Sequence, residues 1–279
     1  MSEIVSAGKY KFKITKNIMK YGDLILNRTY TTGGDYEKCI SISYMYTNNI
    51  PVSVSMPYLL YEPECSIGSD LERGSGTELL IKTAIRYAYK DVPELPIFTF
   101  DDMSHIDCVV KDITQSPPRK PSKKLSLSYF SIAYNGMTWY ESRFNAKMID
   151  PIRYSEYKKS LDFLTDPSVK LPFERFLEIA QPSLEQIAMI EPIYNSNNIS
   201  TYRQFFQGIP SIQRCDTLYL WLPSFMKHYI GHTFSEYGWK IDINDMEPRT
   251  RGGSRNTRKK GKQNNVLYRI FNSKETHDF

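Results

Sequence analysis

Residues 57–100 of this 279-residue chain, PYLLYEPECSIGSDLERGSGTELLIKTAIRYAYKDVPELPIFTF, contain the pattern that decides the fold class. The apolar stretch 57–62 is typical of a β-strand, and a loop with two glycines follows it. Apolar residues then recur at helical spacing over 76–90, and a short apolar run at 96–100 is again typical of a strand. A strand, a helix and a strand in this order predict an α/β protein.

The regions on either side of this stretch differ from each other. The N-terminal region has alternating or β-branched apolar runs, and turn residues such as Asn48-Asn49 separate them. These runs predict strands at 8–14, 24–30, 39–46 and 50–62. Beyond residue 150 the spacing is mainly helical, with Pro and Gly as interruptions. The organisation expected is a mixed sheet with flanking helices at 1–150, a mainly helical extension at 151–245, and a basic C-terminal part at 246–279.

The positive charge is concentrated in one segment, 249–262 (RTRGGSRNTRKKGK), which has seven basic residues and no acid. Subtracting these seven charges from the net charge of +5 leaves −2 for the rest of the chain. Cationic side chains without aromatic neighbours suit sequence-independent contact with phosphates. The segment is therefore a candidate for binding nucleic acid or another polyanion, and a nuclear localisation patch or a solvated hinge are the alternatives. The candidate residues are Arg249, Arg251, Arg255, Arg258, Lys259, Lys260 and Lys262.

Composition excludes several classes of protein. The apolar share of 41% is too high for a disordered chain, and no apolar run of 18 residues is present, so no membrane span is expected. The N-terminus lacks the pattern of a secretory signal. The four cysteines are scattered singly, which predicts a reducing, intracellular compartment and no disulfide framework. The sequence contains no CxxC pair, so structural zinc is not expected.

The loop between the predicted strand and helix suits an anion. Glycine at positions 74 and 76 lets the backbone approach a phosphate closely, and the first amides of a helix are free donors at its positive end. Arg73, Ser75 and Thr77 add a charge and two hydroxyls. The alternative is a flexible loop with a glycine-rich helix cap. The loop lacks the Lys-Ser/Thr of a Walker A sequence and the full GxGxxG of a dinucleotide fold.

A second block, 136–146 (GMTWYESRFNA), and the segment 102–108 between the two blocks (DMSHIDC) complete a resemblance. Together with 73–80 (RGSGTELL) they resemble the GNAT N-acetyltransferase superfamily, and in particular its members from large DNA viruses. The resemblance covers about residues 40–150. It implies an acyl-CoA cosubstrate such as acetyl-CoA, whose pyrophosphate binds Arg73, Gly74, Ser75, Gly76 and Thr77.

The resemblance also implies which groups of the protein would carry out the acyl transfer. Backbone amides at 58–61 would align the thioester, Glu62 or Glu64 would act as the base, and Tyr140 would protonate the departing thiolate. The alternatives are an ordinary surface loop for the two glutamates and aromatic packing on a helix for Tyr140. This chain departs from the family pattern at Leu71, where Gln or Arg is usual, and at Asn145.

Two further clusters favour structural interpretations. Ser104, His105 and Cys108 suggest a Cys-His nucleophile, but their spacing does not fix a facing geometry, and a buried structural cysteine is the favoured interpretation. His228 and His232 have the spacing of two zinc ligands on one helix face, but no third ligand is evident, so no metal is predicted.

The leading hypothesis from the sequence is therefore an acyl-CoA-dependent N-acyltransferase that acts on an amine of a small molecule or protein. The resemblance implies a viral protein in the host cytoplasm, nucleus or virion. The rival hypotheses are a non-enzymatic structural protein with a degenerate fold and a nucleic-acid-associated protein that displays the basic segment. No membrane partner is expected.

Overall fold

A computed structural model describes residues 1–109, 122–231 and 238–246, and they fall into two compact units. The first unit comprises residues 1–100 and 240–246, and the second comprises residues 101–109, 122–231 and 238–239. The units therefore change after residue 100 and again before residue 240, whereas the sequence pattern placed a domain boundary near residue 150.

The described residues form ten strands and ten α-helices, which confirms the α/β class. The strands are β1 (Ser2–Ala7), β2 (Tyr10–Tyr21), β3 (Leu24–Gly33), β4 (Ile40–Thr47), β5 (Ile50–Leu59), β6 (Ile97–Phe100), β7 (His105–Val109), β8 (Ser122–Ser126), β9 (Lys147–Met148) and β10 (Trp239–Asp242). The helices are α1 (Ser75–Asp91), α2 (Leu127–Asn135), α3 (Trp139–Phe144), α4 (Pro151–Ser160), α5 (Phe173–Ala180), α6 (Leu184–Tyr194), α7 (Tyr202–Gly208), α8 (Arg214–Leu218), α9 (Leu222–Ile230) and α10 (Ile243–Met246).

The first unit is built on a mixed sheet whose order runs β1-β2-β3-β4-β5-β6-β10. Strands β1 to β5 form an antiparallel meander, and β6 lies parallel to β5 after the crossover through α1. The turn between β4 and β5 is the two-residue turn predicted at Asn48-Asn49. Both residues have positive φ, 50° and 65°, as a type I′ hairpin turn requires.

The core of the first unit follows from period-2 alternation in the strands. Tyr10, Phe12 and Ile14 of β2 are buried, while Lys11 between them is exposed. Helix α1 buries its apolar stripe in the same unit, through Leu80, Ile81, Ala84, Ile85 and Ala88. The predicted helix and the second strand are observed as α1 and β6, whereas the strand predicted at 57–62 is the end of β5 and stops at Leu59.

The second unit contains the β7–β8 hairpin and helices α2 to α9. Its core is aromatic: the ring of Phe176 lies 5.3 Å from those of both Trp221 and Phe225. The pattern of residues 125–135 suits either a strand or a helix, and the structure forms the end of β8 at 125–126 and helix α2 at 127–135. The Pro- and Lys-rich stretch 115–124 (QSPPRKPSKK) predicts an exposed loop. Ser122–Ser126 instead pairs with β7 as β8, so this prediction is wrong for residues 122–124. The rest of that stretch lies outside the described residues.

Two disulfides overturn the prediction from cysteine spacing. Cys39 is bonded to Cys65 in the first unit, and Cys108 is bonded to Cys215 in the second. The pairs are 26 and 107 residues apart in sequence, so no local motif announces them. The prediction of no disulfide framework is wrong, and the argument for a reducing compartment loses its basis.

Candidate functional site

The loop 73–77 lies at the N-terminus of α1. Gly74 precedes the first helical residue with φ 79° and ψ −87°, a backbone conformation that residues with a Cβ rarely adopt. The Ser75 amide donates to the Arg73 carbonyl at 3.1 Å, and the Glu78 amide donates to the Gly74 carbonyl at 2.9 Å. The first amides of a helix have no acceptor within the helix, so those of Gly76 and Thr77 stand at the positive end of a 17-residue dipole.

The charges around this loop are mixed. Arg73 is exposed, and its guanidinium lies 4.9 Å from the centre of the Tyr61 ring. Burial raises the pKa of Tyr61, and the charge of Arg73 lowers it in part. Glu72 pairs with Lys9 and lies 3.4 Å from the Ser75 hydroxyl, so one predicted phosphate donor already has a protein partner. Arg73 is therefore the cation that this loop offers to a ligand.

Gly76 has a packing role as well as a place in the loop. The residue is buried, and a Cβ on it would lie 2.9 Å from Leu71 Cδ1 and 3.3 Å from the Tyr10 hydroxyl. Leu71 is itself almost completely buried and has little room to move. The absence of a side chain at position 76 is thus explained by close packing, whether or not a ligand approaches.

The predicted bases lie in the segment that connects β5 to this loop. Glu62 is half-buried and immediately precedes a short 3₁₀ helix, Pro63–Cys65, while Glu64 is exposed. The carbonyl of Pro63 accepts from the Leu71 amide at 2.7 Å, so the structure brings this segment close to the start of loop 73–77. Both predicted bases belong to the same unit as the loop.

The strand end predicted to align a thioester is already hydrogen-bonded. The Leu60 amide donates to the Cys39 carbonyl at 2.7 Å, and the Cys39–Cys65 disulfide closes the same region. A donor that serves a backbone carbonyl cannot serve a ligand without breaking that bond. Of the amides at 58–61, that of Leu60 is therefore not free for a thioester.

Tyr140 lies in the second unit, on α3, and only 4% of it is exposed. The centre of its ring lies 5.1 Å from that of Trp139 and 6.2 Å from that of Phe144. This is the aromatic packing that the sequence offered as the alternative to a proton donor. Burial raises the pKa of Tyr140 well above the ordinary tyrosine value, and the nearby Asp102 raises it further. The phenol stays protonated at neutral pH but is enclosed by protein.

Of the two clusters that the sequence suggested for nucleophilic and metal chemistry, the structure explains the first. Cys108 is buried and disulfide-bonded, so its sulfur is no thiolate, which confirms the structural interpretation. His228 lies near the end of α9, and His232 falls outside the described residues. Within residues 1–109, 122–231 and 238–246, no group of three or more His, Cys, Asp or Glu side chains is placed to hold a metal ion.

Sequence analysis missed three buried polar residues of the second unit. These are Asp102, Tyr134 and Arg214. In the sequence, Asp102 is one of two acidic residues that follow a predicted strand, and nothing there predicts its burial. Tyr134 and Arg214 are 80 positions apart, so no sequence pattern predicts their contact. The basic segment 249–262 lies outside the described residues.

No family model matches this chain, and neither does any curated protein or any solved structure. In the part of the chain that the structure describes, no helix has the length and apolar character needed to cross a membrane.

Proposed function

We propose that this chain binds the pyrophosphate of an acyl-CoA such as acetyl-CoA at loop 73–77. The observation that carries the proposal is the backbone of Gly74, whose positive φ turns the chain into the N-terminus of a 17-residue helix beside the exposed Arg73. Helix N-termini favour anions, and an arginine fork matches phosphate oxygens. The thiol end of the ligand would then extend towards the segment with Glu62.

The reaction that this binding would serve is acyl transfer to an amine. The amine nitrogen attacks the thioester carbonyl carbon, the C–N bond forms, the C–S bond breaks, and coenzyme A leaves as a thiol after protonation. Glu62 is the better candidate base of the two glutamates, because it is half-buried and its segment is hydrogen-bonded to Leu71. The family resemblance implies Tyr140 as the proton donor, but its enclosure in the second unit favours protonation of the thiolate by solvent.

A second candidate function is a non-enzymatic binding protein that keeps this architecture. Two observations favour it: the Leu60 amide is engaged by Cys39, and Tyr140 is enclosed by aromatic rings. In this alternative the loop holds a phosphate ligand without turnover, and residues 249–262 bind nucleic acid or another polyanion by charge. That segment's contribution would appear as salt-dependent heparin retention that is lost on its deletion.

The first experiment is calorimetric titration of acetyl-CoA into the full chain and two variants. We expect Arg73→Gln to weaken binding about tenfold or more, because it removes a charge-assisted contact with phosphate. Lys90→Gln is the matched control, since Lys90 is exposed in the last turn of the same helix. Gly76 is a poor probe, because any side chain there would disturb Leu71.

Equal affinity of wild type, Arg73→Gln and Lys90→Gln for acetyl-CoA would contradict binding at loop 73–77. Release of free thiol in the presence of a panel of amines separates the two candidate functions. Amine-dependent release that Glu62→Gln abolishes supports the transferase. Binding without any release above the uncatalysed rate supports the non-enzymatic protein.

A further inference from the structure

Two buried polar residues of the second unit meet at the end of helix α2. Arg214, the first residue of α8, is only 9% exposed, and its guanidinium lies 4.3 Å from the centre of the Tyr134 ring. Tyr134 stands one residue before the end of α2 and is 5% exposed. The Arg214 Nε donates to the Ile209 carbonyl at 3.3 Å, which leaves the outer edge of the guanidinium to be satisfied.

One nitrogen of that edge, Nη1, has no partner in the described part of the chain. Neither the Arg214 Nη1 nor the Tyr134 hydroxyl makes a hydrogen bond there, although both atoms are buried. Buried polar groups are almost always hydrogen-bonded, and leaving one unsatisfied is costly, more so when it is charged. The face of the Tyr134 ring stabilises the cation, but it supplies no lone pair to the N–H groups of Arg214.

Both unsatisfied groups can donate a hydrogen bond, although the Tyr134 oxygen can also accept one. Arginine has no acceptor atom, and burial raises the pKa of Tyr134 more than the neighbouring Arg214 lowers it, so the phenol keeps its proton at neutral pH. Two donors on adjacent side chains, one of them cationic, call for an acceptor that carries negative charge. An oxyanion meets both requirements, whereas a water molecule would leave the charge of Arg214 unbalanced.

A second arginine adds positive charge beside Arg214, at the C-terminal end of α2, where the helix dipole by itself is negative. Arg203 of α7 lies against Gly136, the residue that ends α2, so closely that a Cβ there would be 2.0 Å from Arg203 Nη2. Its Nε is also buried without a partner in the described residues, and burial lowers its pKa. No ion pair of Arg203 or Arg214 with an acidic side chain forms among those residues.

We propose that Arg214 and Tyr134 form a binding site for a small oxyanion, a phosphoryl or carboxylate group, in the second unit. Arg214 supplies the charge through Nη1, Tyr134 donates its hydroxyl proton to the same group, and Arg203 strengthens the local positive potential. This site is independent of loop 73–77 and does not rest on the function proposed for that loop.

The test titrates inorganic phosphate, and separately acetate, into the full chain carrying Arg73→Gln, so that loop 73–77 contributes little. The decisive variant adds Tyr134→Phe, which keeps the ring under Arg214 and removes only the hydroxyl. We expect Tyr134→Phe to raise the dissociation constant of the anion about tenfold, because one hydrogen bond to the anion is lost. The unfolding temperature without anion should be unchanged or higher, because the variant removes a buried hydroxyl that has no partner. Tyr44→Phe is the matched control, since Tyr44 of the first unit also has a buried hydroxyl with no partner in the described chain.

The two anions distinguish the sources of the oxyanion. Tighter binding of phosphate indicates a phosphoryl ligand, and tighter binding of acetate indicates a carboxylate; either supports the site if Tyr134→Phe weakens it. Arg214→Lys is expected to weaken binding further, because an ammonium group lacks the planar fork. The proposal is overturned if neither anion binds, or if Tyr134→Phe and Tyr44→Phe leave the same affinity.

Discussion

Asp102 shows how burial controls the protonation of a single residue. It is 5% exposed, and its carboxylate accepts from the Ser104 hydroxyl at 2.5 Å and from the Ser104 amide at 3.2 Å. Burial raises the pKa of Asp102, and the hydrogen bonds from Ser104 and Ser128 offset only part of that effect. No basic residue is among the causes of the shift, so the carboxyl group is stabilised in its neutral form.

The raised pKa of Asp102 predicts that the stability of the folded protein depends on pH. The unfolded chain loses the Asp102 proton near pH 4, whereas the folded chain keeps it to higher pH, so the folded state binds more protons in between. The free energy of unfolding should therefore fall as pH rises from about 4 through the raised pKa, and stay lower above it. Asp102→Asn should remove this decline.

The measurement is urea-induced unfolding of wild type and Asp102→Asn at a series of pH values. Asp23→Asn is the control, because Asp23 is exposed in the turn between β2 and β3. A stability difference between wild type and Asp102→Asn that does not vary with pH would show that Asp102 titrates alike in both states.

At the scale of the element, helix α1 ends in a residue that the helix itself disfavours. Asp91 is an acid at the negative end of the helix dipole, which is unfavourable. It is held there by Lys16 at 2.5 Å, by Arg28 at 3.1 Å, and by the hydroxyl of Tyr30. Partial burial by itself raises the pKa of Asp91, but these three partners outweigh it and the pKa is lowered. The contacts attach the end of α1 to strands β2 and β3.

We expect Asp91→Asn to lower the free energy of unfolding by about 1–2 kcal/mol, because it weakens two ion pairs and one partly buried hydrogen bond. The figure is modest because the Asp91 side chain is 34% exposed. Since the folded pKa is lowered, the advantage of wild type is present above about pH 4 and is lost as pH falls through the folded pKa. Glu94→Gln, in the exposed loop that follows, is the control for denaturant unfolding. An equal loss of unfolding free energy in Asp91→Asn and Glu94→Gln would show that the contacts of Asp91 with Lys16, Arg28 and Tyr30 do not stabilise the protein.

At the scale of the whole molecule, one disulfide closes within each compact unit. Cys39–Cys65 joins the approach to β4 with the segment before α1, and Cys108–Cys215 joins β7 with α8. Cross-links restrict the unfolded chain, and the effect grows with loop length. The two bonds, 26 and 107 residues in span, correspond to roughly 3.5 and 4.7 kcal/mol in the chain-entropy treatment.

We expect peptide mapping of the unreduced protein to yield two cross-linked species, Cys39 with Cys65 and Cys108 with Cys215. Reduction, or the double variant Cys108→Ser with Cys215→Ser, should lower the free energy of unfolding by about 2–5 kcal/mol. Denaturing the protein in an alkylating agent without reductant is the control for free thiols. Alkylation of all four cysteines in that control would contradict the disulfides.

The sequence by itself determined the features that depend on neighbours along the chain. The helix predicted at 76–90 is observed as Ser75–Asp91, and the Asn48-Asn49 turn has the positive φ angles that its residues favour. Both follow from local periodicity and backbone preference, which need no knowledge of distant residues. The glycine-rich start of α1, with Gly74 at positive φ, was predictable for the same reason.

Only the tertiary structure decided which distant residues meet. Cysteine pairing requires Cα atoms to come within disulfide range, and the observed 5.9 Å and 5.3 Å are set by the packing of elements far apart in sequence. The enclosure of Tyr140 by aromatic rings and the stacking of Arg214 on Tyr134 have the same origin. A sequence pattern records the spacing of residues along one element, whereas burial and contact depend on how several elements pack together.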